Sequence, residues 1–141
     1  MMTRRDAVAS FALFAEFLAS TAHAQAQGAA PQTPAPPVFR HDLPNVTMED
    51  WEVTVNYVDY APGRVGAPHR HAGFVLVYVL EGAVIAQISD QGPPRTYTAG
   101  QMFYEQPGAT HMVSNNASQT QPARILAMIF AKKGSTLTTP V

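Results

Sequence analysis

The sequence predicts an all-β fold, a small antiparallel sandwich or barrel. Three observations carry this. Short apolar runs, alternating or apolar on both faces, recur at regular spacing and number roughly seven or eight. Twelve Pro and nine Gly among 141 residues supply the turns between them. Beyond the N-terminus no segment carries the apolar period of a helix. The length allows one domain. Charged residues make up 13% of the chain, about half the ~25% usual for soluble domains. That excludes charge-rich disorder and a salt-bridged helical surface.

The elements follow in order. Trp51, Val53, Val55 and Tyr57 alternate on one face of a strand that Ala61-Pro62-Gly63 ends. His69-Arg70-His71 is an extended segment. Phe74 to Leu80 is β-branched and apolar on both faces, short, and closed by Gly82, which suits a fully buried strand. Ala83 to Ser89 is the next strand, and Asp90-Gln91-Gly92-Pro93-Pro94 is turn chemistry that lets Arg95 to Thr98 pair back. Gly100 opens a strand to Glu105, Pro107-Gly108 turns the chain, and His111 to Ser114 follows. Arg124 to Ala131 is again apolar on both faces and is expected to be the last strand.

The N-terminus reads differently. Arg4 and Arg5 precede an apolar stretch from Ala7 to Ala22 and a small-x-small site at Ala22-His23-Ala24. Residues 1–24 therefore read as a secretory signal, cleaved to release a periplasmic or secreted protein. The alternative is a membrane anchor, but Glu16 interrupts a run shorter than the ~20 residues a span needs. No stable membrane insertion is expected after cleavage. Thr3-Arg4-Arg5-Asp6 partly resembles a twin-arginine signal. Residues 25–37 form a Pro/Ala/Gln-rich linker with nothing to bury. The folded domain is expected to span 38–141.

Composition also excludes partners and chemistries. Nine Lys plus Arg against ten Asp plus Glu leave a net charge of −1, so there is no basic field for nucleic acid. With no cysteine, disulfides, thiolate metal sites and a Cys nucleophile are excluded.

Of five histidines, His23 leaves with the signal and His41 sits at the linker boundary as a surface residue. His69 and His71 share one face of an extended segment, about 7 Å apart along the chain, because side chains alternate with period two. Two imidazoles so placed can converge on one ion. Alone, the pattern is more often that of a surface loop pair flanking Arg70.

The stretch from Gly63 through His69-Arg70-His71 to Gly82 resembles the first motif of the cupin superfamily. Gly100, Gly108, His111 and Asn115 fall where the second cupin motif has its two Gly, its His and its Asn. The resemblance is to small single-domain cupins. It implies an antiparallel jelly-roll barrel, often dimeric, with a divalent transition metal (Mn, Fe, Ni, Cu or Zn) held by His69, His71 and His111. One position departs from it. Where the family carries a Glu ligand, this chain has Val75.

Glu105 is the expected substitute. It stands where the second motif usually has Ile or Val facing the interior. A buried, unpaired carboxylate costs several kcal/mol, so binding a metal is its cheapest resolution. Glu105 would then be both a metal ligand and a catalytic general base.

Around this centre Val55, Tyr57, Val75, Val77, Val79, Phe103, Met112 and part of 125–130 are expected to form an apolar wall. Arg64 or Arg70 could meet an anionic group at the mouth. Tyr78 and Tyr104 are positional candidates for proton donors. The functional expectation is an exported metal-dependent enzyme for a small molecule, oxygenase-like by family analogy, and a homodimer because edge strands need cover. Two alternatives stand beside it, a binding module for metal or small ligand and a metal-free barrel acting as an interaction partner.

Overall fold

The computed structural model describes residues 34–141. The expected signal at 1–24 and most of the linker at 25–37 lie outside the described residues. A compact unit runs from Pro36 to Val141.

Among the described residues there is no helix, and the elements are nine strands: β1 (Trp51–Tyr60), β2 (His69–His71), β3 (Phe74–Glu81), β4 (Ala83–Ile88), β5 (Arg95–Thr98), β6 (Met102–Glu105), β7 (Thr110–Asn116), β8 (Ala123–Lys132) and β9 (Thr138–Pro140). They form two antiparallel sheets, ordered β1-β8-β3-β6 and β5-β4-β7-β2-β9. The two sheets face each other as a jelly roll. The all-β, antiparallel expectation holds. The expectation that β8 closes the chain does not: β9 follows and adds to β2 at the edge of the second sheet, pairing His69 with Pro140 and His71 with Thr138. Its residues are polar or Pro and all exposed, so no apolar pattern marks it.

The core lies between the sheets. In the first sheet it comes from Val75, Val77 and Val79 of β3, Phe103 of β6, and Ile125, Ala127 and Ile129 of β8, all buried. From the second sheet come Val84, Ala86 and Ile88 of β4. Opposed residues in an antiparallel pair share a face. The register Val75↔Ile129↔Thr54 therefore carries the inward face across to β1.

This corrects the phase expected for β1. Thr54, Val58 and Tyr60 turn inward, whereas Val53 and Val55 are about half exposed and Tyr57 is 69% exposed. Val55 therefore leaves the expected cavity wall, and Tyr57 reaches only its rim. Met112 leaves it too, at 46% exposed. Both faces of β1 are apolar enough to be buried, so the facing sheet, and not the local pattern, selects the inner one.

Two devices hold the loops in place. Gly82 ends β3 at φ +67°, where an L side chain is strained and a Cβ would meet the Pro122 carbonyl oxygen at 2.5 Å. Asn116, buried at the end of β7, donates Nδ2–H to the carbonyls of Tyr60, Ala61 and Gln121 and accepts from Ser118 N–H. One side chain thus ties the end of β1 and the approach to β8 onto β7.

Candidate metal centre

Alternation and register bring the three histidines together. His69 and His71 project from one face of β2. His69 is the direct partner of His111 on β7, so all three imidazoles point into the same space. The ring centroids of His69 lie 5.0 Å from those of His71 and of His111. One nitrogen from each of the three falls within 4.8 Å of the others, a group able to hold a metal ion.

Their hydrogen bonds leave the inward nitrogens free. His69 Nδ1 donates to the Ala67 carbonyl at 2.9 Å, and His71 Nδ1 donates to the Leu137 carbonyl at 3.1 Å. A carbonyl can only accept, so the proton sits on Nδ1 and Nε2 keeps its lone pair. This is how ligating histidines are oriented around metals. His111 Nε2 is buried with no hydrogen-bond partner. An orphaned buried lone pair is costly unless something binds it, and a cation satisfies it. Burial lowers the His71 pKa, opposed by the Glu105 carboxylate and the Leu137 bond and reinforced by the neighbouring imidazoles. The neutral, ligating form is the one favoured.

Glu105 reaches this group from the opposite sheet. It ends β6, is 5% exposed, and lies directly opposite Val75 in the β3–β6 ladder. One oxygen stands 3.2 Å from His111 Nδ1 and the other 3.7 Å from His71 Nε2. The carboxylate therefore sits one strand away from the position at which cupins carry their Glu. It touches two of the three imidazoles and is not part of the mutually close set formed by all three. The Val75 side chain, 1% exposed, belongs to the apolar core and lines the space beside the histidines.

The centre opens into a cavity of about 620 Å³ between the sheets. Val75, Val77, Ile125, Ala127 and Ile129 give it an apolar wall. Arg64, itself exposed, lines it, whereas Arg70 does not and bonds Thr110 Oγ1. Tyr78 and Tyr104 are not in it. Both share the outward face of the first sheet, where the His41 ring covers Tyr104 at 4.1 Å. The phenol inside is Tyr60, whose hydroxyl pairs with Ser114 Oγ at 2.7 Å. Sequence reasoning missed both. Tyr60 is out of phase with the Trp51–Tyr57 alternation. Ser114 turns inward because β7 bulges, with Val113 opposite Gln87 and His111 opposite the very next residue, Ile88.

Facing antiparallel sheets with three imidazoles converging between them define a small jelly-roll protein with a metal-capable centre. The cupin domain family matches residues 56–129, and the chain belongs to that family. It is 28% identical over 74 residues to the beta-alanine degradation protein BauB of Pseudomonas aeruginosa, covering 52% of this chain and 78% of that protein. Among solved structures, an oxalate oxidase in complex with the substrate analogue glycolate superposes with a TM-score of 0.54 at 25% identity. That match covers 63% of this chain and 46% of the oxidase, so the chain spans less than half of that protein. The DMSP lyase DddQ from Ruegeria pomeroyi shares the fold at a TM-score of 0.54 and 17% identity, over 63% of this chain and 43% of its own.

Proposed function

We propose that this cupin is a metal-dependent enzyme acting on a small organic molecule, with His69, His71 and His111 as ligands and Glu105 as the carboxylate of the centre. The observation that carries this reading is that the three imidazoles and Glu105 border an open cavity of about 620 Å³ instead of a filled core. When bound, a divalent transition metal such as Mn, Fe, Ni, Cu or Zn supplies Lewis-acid or redox chemistry at this position. The chain's own residues do the rest. His69 and His71 are locked in the ligating tautomer by backbone carbonyls. Glu105 sets one oxygen 3.2 Å from His111 Nδ1 and turns the other toward the His71 Nε2 side, where it balances charge and can take a substrate proton.

The kinship with an oxalate oxidase supports oxygen-dependent chemistry, and that with DddQ supports the fold alone. A binding module is the second reading. All three imidazoles of the cavity serve as ligands, which leaves none free as an acid or base. Stoichiometric metal together with oxygen uptake on a panel of small hydroxy- and oxo-acids, catechols and flavonols favours the enzyme. Metal without turnover favours the module.

The role of Glu105 has its own test. Glu105→Ala is expected to weaken metal affinity by about 10- to 100-fold, the cost typical of losing a carboxylate at such a centre. The double variant Val75→Glu, Glu105→Val moves the carboxylate back across the ladder and is expected to recover most of that loss. Unchanged affinity in Glu105→Ala, measured by competition with a metallochromic chelator, removes Glu105 from the centre.

The N-terminal segment supports the reading that this activity is exported. A homodimer completes the proposal. Val53, Val55 and Tyr57 expose an apolar strip on β1, the edge strand of its sheet. Light scattering on the protein lacking residues 1–24 is expected to give twice the chain mass, and a monomeric mass refutes the dimer.

A further inference from the structure

Arg64 is a guanidinium without a carboxylate partner among the described residues, and it lines the cavity. Its backbone is pinned on two sides. Arg64 N–H donates to the Ala61 carbonyl at 3.0 Å, and its own carbonyl accepts from Asn116 N–H at 2.9 Å. The next turn is equally fixed. Gly66 N–H donates to the Ser114 carbonyl, and a Cβ at Gly66 would lie 2.4 Å from that oxygen. The guanidinium is held as well. Nη1 donates to the Asp59 carbonyl at 2.6 Å, and the group lies 4.6 Å over the Tyr60 ring. One of five donors is spent on that carbonyl, which leaves a preorganised fork.

Beside it is a second polar pair, the buried Tyr60 hydroxyl and Ser114 Oγ. Ser114 lies on the same strand as His111 and faces the same cavity. Three residues of extended chain span about 10 Å, and the bulge shortens this. The cavity thus has two polar poles, imidazoles with Glu105 at one and Arg64 with Tyr60 and Ser114 at the other, and the Val and Ile wall lines the same space.

We propose that Arg64, with Tyr60 and Ser114, is an anion-recognition pole, so that the substrate class is a small carboxylate with a second oxygen donor at its far end. This rests on the metal-centre reading, since the far oxygen is the group that would meet the histidines. The charge balance selects a monoanion at this pole. A single guanidinium matches one carboxylate bidentately, whereas a phosphate dianion would face one cation here and the Glu105 charge across the cavity. The Tyr60–Ser114 pair contributes a donor, because one hydroxyl proton is spent between the two oxygens and the other stays free, with burial raising the Tyr60 pKa. Arg64 and Tyr60 are positioning residues in this scheme.

The test is titration of the metal-free and the Zn(II)-loaded protein with glycolate, 3-hydroxypropanoate, 4-hydroxybutanoate, their amides and inorganic phosphate. Calorimetry and nitrogen-15 shifts of the arginine side chains are the readouts. At least one hydroxycarboxylate is expected to bind about tenfold more tightly than its amide and to shift the Arg64 Nε resonance, with or without Zn(II). Arg64→Gln is expected to erase that preference and leave Zn(II) affinity unchanged, and Arg64→Lys to keep part of it. Thermal melting checks the fold of each variant, and the wild-type arginine shifts stand even where a variant fails to fold. A preference that survives in Arg64→Gln overturns the proposal. So does an unmoved Arg64 resonance, or phosphate binding more tightly than every carboxylate. Failure of the wild type to bind Zn(II) sinks the metal reading instead, and the metal-free titration still reports on Arg64.

Discussion

His111→Ala is expected to lower metal affinity by at least about 100-fold, more than loss of an orienting neighbour alone would cost. His111 is the deepest of the three imidazoles, at 3% exposed, and its Nε2 has nothing else to bind. It is also the junction of the centre, opposite His69 in the β2–β7 ladder and 3.2 Å through Nδ1 from a Glu105 oxygen. Removing it breaks the triangle and strips Glu105 of its nearest partner. Elemental analysis after dialysis against limiting metal is the direct measurement, and full occupancy in the variant refutes the three-histidine centre. The wild type should show a matching pH dependence. His71 is held below its ordinary pKa chiefly by burial. Its unfolded value is about 6.5. Above that value neither state holds the proton. As pH falls through it, the unfolded chain takes up the proton first, so stability of the metal-free protein is lost from there down to the lower, folded pKa. Metal, which needs the neutral imidazole, counters that loss.

Phe74→Ala is the largest expected stability effect, about 4 kcal/mol. Against the ~5–15 kcal/mol that holds a domain of this size, that is a large fraction of the total. Phe74 is 1% exposed although it belongs to the outward face of its sheet. The reason is a second aromatic cluster on that face. Phe74 stacks on Phe130 at 4.7 Å and meets Trp51 at 5.9 Å and Tyr104 at 6.0 Å, while His41 from the N-terminal arm covers Tyr104. The preceding Gly73 allows this approach, since a Cβ there would stand 1.9 Å from the Phe130 carbonyl oxygen. Truncation leaves a cavity that rings on four different strands cannot refill by small movements. Urea unfolding of the metal-free protein measures it. Val55→Ala, at a site 52% exposed, is the control and is expected to stay within about 1 kcal/mol. Equal midpoints for the two variants refute the role assigned to this cluster.

The amino-acid sequence by itself determined the strands up to β8, the antiparallel all-β class and the metal-capable centre. Period-two alternation makes neighbours of His69 and His71, and spacing to His111 and to Glu105 is written in the two motifs. The inward, buried place of Glu105 opposite Val75 was legible for the same reason, as a charged residue at a position whose alternation turns it inward. Only the tertiary structure decided which face of β1 is inside, because Thr54, Val58 and Tyr60 compete with Val53, Val55 and Tyr57 and the facing sheet arbitrates. It alone decided that Ser114 joins His111 in the cavity, through a bulge that breaks alternation within β7. It alone placed β9, whose pairing is made by backbone bonds and carries no side-chain pattern. Arg64 belongs to the same group. A loop residue has no period, and its direction is set by the distant strand to which its backbone is bonded.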